Sequence, residues 1–188
     1  PAEAHAILQS NCASLGADLV VIEDEGHDFN VRNRNFAQAI LLREFSSDKA
    51  TLTLLQSALA RPVFGRFSLL RSEPRIVFDS GHNEAAMQAL AEIVNRQPES
   101  QCNFFVNTMK ERNLQELIDL LRAKLARKIQ FYLYPMPQPL YYQAPDAPAN
   151  MLAIDTAQIE SLIGTKDTLN IFTGSMALYA ELPASLTL

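Results

Sequence analysis

From residue 67 to residue 172, short apolar runs alternate with amphipathic stretches, and that alternation restricts the chain to very few folds. The segments 67–70, 75–78, 102–106, 129–134 and 168–172 are short and dominated by Phe, Ile, Val, Leu and Tyr, as suits strands buried within a sheet. Three longer stretches, 83–95, 114–126 and 156–163, carry the spacing of apolar residues that a sheet-covering helix requires. A strand, a helix and a second strand in succession imply a crossover, and repeated crossovers lay strands parallel with helices on the sheet faces. The expected fold is α/β, a mainly parallel sheet flanked by helices. In such sheets ligands gather beyond the carboxyl ends of the strands, so the polar residues after each apolar run carry the functional information.

The first third of the chain is predicted to be different. Residues 2–15 fit a helix, with Ala6, Leu8, Ala13 and Leu15 as its apolar positions and Gly16 placed to end it. Residues 18–22 read as a short β-branched strand that ends at the acidic loop 23–26, and two further helices are expected over 35–45 and 48–60. The Arg61-Pro62 step then limits helical continuation. The expected organisation is a unit over 1–62 followed by an α/β domain over 63–188. Inside the second unit, Pro135, Pro137, Pro139, Pro145 and Pro148 crowd a stretch that also holds Tyr141 and Tyr142. This is an ordered surface loop, either a contact surface or a connection whose aromatics cover the edge of the core.

Lys and Arg total 16 against 21 Asp and Glu, and a net charge of −5 gives no general attraction to nucleic acid or an anionic membrane. Only Cys12 and Cys102 are present, both among apolar neighbours, which argues for reduced thiols rather than a disulfide scaffold or a metal site. No apolar run is long enough to span a membrane and no export pattern opens the chain, so a cytoplasmic location is expected. The start at Pro1, already at the edge of a helical pattern, suggests an excised piece of a longer chain. His5, His27 and His82 have no metal-ligand spacing, and no Walker A loop, nucleophile elbow or dinucleotide glycine fingerprint occurs.

The most informative run is Arg75-Ile76-Val77-Phe78-Asp79-Ser80-Gly81-His82-Asn83, read as a strand, a tight turn and a helix start. Asp79 would emerge at the strand's carboxyl end, where its carboxylate could accept from ribose hydroxyls or simply organise the turn. Gly81 permits close backbone approach, His82 offers polar edges, and Asn83 suits a helix cap. Arg66, in Phe64-Gly65-Arg66-Phe67, is either a phosphate or ribose contact or surface charge. Thr173-Gly174-Ser175 leads from a strand into another helix, and Lys110 and Arg112 follow the strand at 102–106. The expectation is a common mouth with Asp79 and Thr173 at one sheet edge.

Several of these motifs resemble those of the folate-adding branch of the Mur ligase superfamily, which includes folylpolyglutamate synthase and bifunctional dihydrofolate synthase. Gly65-Arg66-Phe67 is similar to the glycine-arginine motif that opens this family's C-terminal domain. Asp79-Ser80-Gly81-His82-Asn83 resembles its Asp-Gly-Ala-His-Asn signature, and Thr173-Gly174-Ser175 its late Thr-Gly-Ser. Phe29-Asn30-Val31 and Asn35-Phe36-Ala37-Gln38-Ala39 resemble the end of the central ATPase domain. The resemblance covers nearly the whole chain and makes 1–62 the tail of that ATPase domain with its linker, and 63–188 a Mur ligase-like C-terminal domain. It implies an ATP- and magnesium-dependent reaction of folate biosynthesis and one-carbon metabolism. ATP phosphorylates a carboxylate of folate or dihydropteroate, and the amino group of L-glutamate attacks the acyl phosphate. By the same resemblance Asn35 contacts adenine, Arg66 and Asp79 contact the nucleotide, and His82 sits near adenine or ribose. Lys110 then lies near phosphate or the incoming amino acid, and Ser175 shapes the amino-acid pocket.

Departures from the family pattern are Ser80 for Gly, Gly81 for Ala, Glu84 for Pro, and Glu111-Arg112-Asn113 in place of the last three residues of Lys-Asp-Lys-Asp. They leave open a related Mur ligase acting on a UDP-linked cell-wall peptide, and a non-catalytic nucleotide-binding module is a third reading. Because the phosphate-binding loop and the activating lysine of the central domain are missing from this sequence, the chain alone is expected to be inactive. It would need the remainder of the ATPase domain as a partner, and no catalytic or metal-ligating residue is assigned to it.

Overall fold

Helix α1 (Ala2–Leu15) stops at Gly16, whose φ of 63° is open to glycine at no steric cost. The structure, a computed structural model, describes residues 2–22, 29–45, 48–164 and 166–186. The chain divides into two units, Pro1–Ala60 and Arg61–Leu188. In the first, α1 is followed by α2 (Phe29–Glu44) and α3 (Lys49–Leu59), with Asp48 capping α3 by accepting from Thr51 N at 3.0 Å. None of the side chains described in this unit is buried, and Ile7, Leu15, Val21, Phe36, Ile40 and Leu54 are all exposed. The strand expected over 18–22 is absent: these residues form no ladder. A strand is stable only when a neighbour takes its backbone N–H and C=O groups, and no described residue of this unit supplies one. Asp18 instead pairs with Arg43 of α2. The acidic loop expected over 23–26 lies outside the described residues.

Among the described residues the second unit is built on six strands, β1 (Ser68–Arg71), β2 (Ile76–Asp79), β3 (Gln101–Val106), β4 (Lys128–Leu133), β5 (Leu152–Ala153) and β6 (Thr168–Thr173). Their order across the sheet is β1-β2-β6-β3-β4-β5. Only β1, joined to β2 by a tight turn, runs antiparallel; every other pair is parallel. The expected mainly parallel sheet flanked by helices is therefore present, with helices α4 (Glu84–Asn95), α5 (Leu114–Lys124), α6 (Ile159–Leu162) and α7 (Met176–Ala180). The stretch expected as one helix over 156–163 is a 3-10 turn, Thr156–Gln158, leading into the single turn of α6.

Successive strand residues point to opposite faces, and both faces are apolar. Val77, Phe104, Val106, Phe131, Leu133 and Ile171 meet Met87, Leu90 and Val94 of α4 and Leu117, Ile118 and Leu121 of α5. On the other face Ile76, Phe78, Phe105, Tyr132 and Phe172 meet Ile159, Leu178, Leu182 and Leu186. Phe105 stacks between Phe172 at 4.5 Å and Tyr132 at 5.1 Å, so β6, β3 and β4 are locked by aromatic contact as well as by their ladders. Asn170, fully buried in β6, satisfies its side chain on Arg75 O, Gly164 O and Gly164 N. The Pro-rich stretch covers the core: Tyr141 is buried in the second cluster and Tyr142 packs on the first.

Candidate functional site

Register fixes the site. Asp79 pairs with Thr173, and Thr173 with Val106, so β2, β6 and β3 finish level and their three following turns open at one edge. The common mouth expected for Asp79 and Thr173 is thus present. Between the turns lies a hollow of about 220 Å³. Ser80 and His82 line it from the β2–α4 turn, Thr108, Met109 and Arg112 from the β3–α5 loop, and Gly174, Ser175 and Met176 from the β6–α7 turn.

Each wall is held by local chemistry. Asp79, only 6% exposed, accepts from Gly81 N at 2.8 Å through one carboxylate oxygen and from Phe67 N at 2.9 Å through the other. Burial raises its pKa above the ordinary carboxylate value, against the opposing pull of those two N–H donors and the Arg66 charge. The carboxylate therefore ties the Gly65–Phe67 turn to the Ser80–His82 turn. Ser80 reinforces the tie by donating N–H and hydroxyl to Gly65 O, both at 2.9 Å, and accepting from Arg66 Nη1 at 3.0 Å. Gly65 needs its φ of 80°, and a Cβ there would stand 2.6 Å from Met176 Cε.

His82 places Nδ1 3.0 Å from Ser80 O, while Asn83 caps α4 by accepting from Ala86 N at 2.9 Å. Ser175 caps α7 by accepting from Ala177 N and also meets the Tyr141 hydroxyl, each at 3.2 Å. Gly174 has φ 108°, and a Cβ would lie 2.2 Å from Asn107 O, so the ends of β6 and β3 approach too closely for any other residue.

The two cations after β3 part company. Lys110 is half-exposed and pairs with Asp146 Oδ2 at 2.7 Å, which holds that carboxyl below its usual range; it is not among the lining residues. Arg112 does line the hollow, and the carboxylate beside it is that of Glu111, at 3.8 Å. Asn35 lies in α2 of the first unit, exposed to solvent. Thr108, Met109 and Met176 were not singled out in the sequence; their place directly after β3 and β6 is the signal that finds them.

A larger hollow of about 530 Å³ lies at the opposite, amino end of the sheet, by Arg75, Glu99, Lys166 and Asp167. Much of its charge is consumed by the fold: Arg75 pairs with Glu99 at 2.9 Å, and the Asp167 carboxylate binds Ser100. The smaller hollow, where three strand ends converge, has the placement expected of a ligand site in an open α/β sheet. Among the described residues no group of three His, Cys, Asp or Glu could hold a metal ion, and no helix is long and apolar enough to cross a membrane.

Strand order, the antiparallel edge and the three-turn mouth define an α/β unit of Mur ligase C-terminal domain-like architecture. Among solved structures of this fold, a bifunctional folylpolyglutamate synthase/dihydrofolate synthase from Yersinia pestis superposes with a TM-score of 0.61 at 18% identity, over 81% of this chain and 38% of that one. The complex of the Yersinia pestis enzyme with AMPPNP and Mn ion gives a TM-score of 0.60 at 20% identity, over 81% and 38%. E. coli FolC in complex with DHPP and ADP gives 0.60 at 17%, over 78% and 37%. At these identities the likeness is one of fold, and the chain spans less than two-fifths of each of these proteins. No protein-family model and no curated protein matches the sequence.

Proposed function

We propose that this chain is part of a cytoplasmic ATP-dependent amide ligase that joins L-glutamate to folate or dihydropteroate, and that the mouth after β2, β3 and β6 receives an anionic end of a reactant. The observation that carries this reading is the convergence of Arg112, His82, Ser80, Thr108 and Ser175 from three separate turns on one hollow. The Arg112 guanidinium and the hydroxyls of Thr108 and Ser175 suit a carboxylate or phosphate oxygen, while Ser80, whose hydroxyl donates to Gly65 O, shapes the wall. The hollow is smaller than a typical whole-ligand pocket, which favours an end group over a complete nucleotide. The complexes of similar fold, with AMPPNP and Mn ion and with DHPP and ADP, support nucleotide and folate-type reactants.

A carboxylate oxygen of the folate-type reactant takes the γ-phosphoryl group of ATP, releasing ADP and forming an acyl phosphate; the glutamate amine then attacks the acyl carbon, the C–O bond to phosphate breaks, and the nitrogen gives its proton to the departing phosphate or to water. Arg112 would offset charge on the phosphoryl or carboxylate oxygens, while Ser175 and Thr108 would orient them. Arg66 and Asp79 contribute from behind the wall, their side chains being bound up in the turn, and any direct contact with ribose would need a hydroxyl to reach the buried carboxylate. His82 is proposed beside the nucleotide, Lys110 near its phosphates or the incoming amino acid, and Asn35 as an adenine contact in a stretch proposed to be the tail of the central ATPase domain. Magnesium is proposed to be held by the nucleotide phosphates and the remainder of that domain, and no step of this chain's residues runs through it.

The test is NMR titration of the chain with AMPPNP and, separately, L-glutamate. At least one should shift the amides of Ser80, His82, Arg112 and Ser175, and Arg112→Ala should weaken that binding at least fivefold. No shift at these amides at millimolar concentrations of either compound would overturn the assignment. The chain alone should form no folate-glutamate product under the same conditions.

A further inference from the structure

Two neighbouring tyrosines of the Pro-rich stretch send their hydroxyls to two different walls of the mouth. Tyr141 reaches Ser175 Oγ at 3.2 Å, in the β6–α7 turn. Tyr142 donates to Arg112 O at 2.8 Å and accepts weakly from Leu114 N at 3.4 Å, in the β3–α5 loop. Tyr142 also holds the start of that loop, because its backbone carbonyl accepts from Asn107 Nδ2 at 3.0 Å. Asn107 is fully buried and donates to Tyr134 O as well, at 2.7 Å, so this end is anchored to the residue just after β4 and to the Pro-rich stretch together. Between the two anchors Met109 bridges Tyr141, and Lys110 N donates to Leu140 O at 2.8 Å. The loop carrying Arg112 is therefore laid along residues 140–142, with one residue, Tyr142, gripping both its beginning and its end.

We propose that Tyr142 is a positioning residue of the mouth: through the Arg112 carbonyl it fixes the backbone from which the guanidinium is presented, so that the anion meets a pre-set partner. The proposal rests on the reading of the mouth as an anion site. Its physical content is preorganisation, in which ordering of the loop is completed before the ligand arrives and does not subtract from binding. The ring of Tyr142 packs on the core, and the hydroxyl alone reaches Arg112, so the two contributions separate in Tyr142→Phe.

Three measurements on the chain decide it. In the ligand-free protein, amide hydrogen exchange over 109–114 should accelerate in Tyr142→Phe while the strands keep their protection; unchanged exchange in this loop overturns the proposal. With AMPPNP or L-glutamate, whichever perturbs the wild-type mouth, Tyr142→Phe should weaken binding about three- to tenfold, the range of one lost hydrogen bond. In an Arg112→Ala background the same substitution should cause no further loss, because its route has been removed. Equal losses in both backgrounds would mean a general structural role and would overturn the positioning claim. Tyr141→Phe supplies the contrast, since it acts on Ser175 and its effect should persist without Arg112. If the wild-type chain binds neither compound, the anion-site reading fails, while hydrogen exchange still decides whether Tyr142 holds the loop.

Discussion

Replacing Asp79 by Ala asks how much of the mouth is held by one carboxylate. Its two oxygens take backbone N–H groups from Gly81 at 2.8 Å and Phe67 at 2.9 Å in a site only 6% exposed, so truncation leaves two shielded donors without partners. Each such donor costs about 1–3 kcal/mol. Against this, the mutation removes a carboxylate that burial disfavours, as its raised pKa shows, and part of the loss is offset. A net destabilisation of about 2–4 kcal/mol follows. For a unit of this size each kcal/mol moves Tm by about 3–5 °C, so a fall of about 10 °C is expected. Thermal unfolding followed by circular dichroism gives the number, and hydrogen exchange should show the Phe67 and Gly81 amides deprotected. Asp79→Asn should lie between, because the amide keeps one acceptor and turns a donor toward the other N–H. A Tm within about 2 °C of wild type, with both amides still protected, would refute the reasoning and restore a ligand-facing role to the carboxylate.

Gly174→Ala should destabilise by about 3 kcal/mol or more, since it combines a disfavoured φ with a Cβ 2.2 Å from a backbone oxygen; urea unfolding checks it, and a loss under about 1 kcal/mol would contradict the close approach of β6 and β3. The acid limb of stability should depend on Asp167, whose pKa is lowered by the Ser100 hydroxyl and then its N–H. A lowered folded pKa stabilises above the unfolded value of about 3.9, and that contribution disappears as pH falls through the folded pKa, so Asp167→Ala should flatten the decline below about pH 4. Asp79, with its pKa raised, has the opposite sign: its contribution is greatest at low pH and declines as pH rises from about 3.9 through its folded pKa, and Asp79→Ala should abolish that component. Unfolding midpoints across about pH 2–6 read both effects, and parallel profiles for wild type and variants would refute them.

The sheet could be anticipated from the sequence because its inner strands are buried on both faces and leave short, mostly apolar runs, so that 75–78, 102–106 and 168–172 read as strands even with Asn103 and Asn170 inside two of them. The same logic misreads 18–22, where an apolar run exists without a neighbouring strand, and it passes over β5, whose two residues carry no periodicity. The mouth was located because strand ends can be read locally, and His82 and Ser175 follow directly. Lys110 and Arg112 could not be told apart, because what separates them is distant in sequence: Asp146 captures one, while Tyr142 fixes the backbone of the other. The saturation of Asp79 was equally hidden, since one of its partners is Phe67 on the far side of β1.

The last strand of the chain lies in the middle of the sheet. Until β6 is inserted, the β1–β2 pair and the β3–β4–β5 block share no ladder, and Asn170 is joined to Arg75 across 95 positions. During synthesis the unit must therefore leave the ribosome almost whole before its two halves can unite, and a nascent chain that pauses before Thr168 leaves two strand edges unpaired, one bearing Phe78 and the other Phe105. Such non-local closure slows folding. It also makes the mouth wait for β6, because two of its walls come from earlier turns but the third arrives only with Gly174 and Ser175.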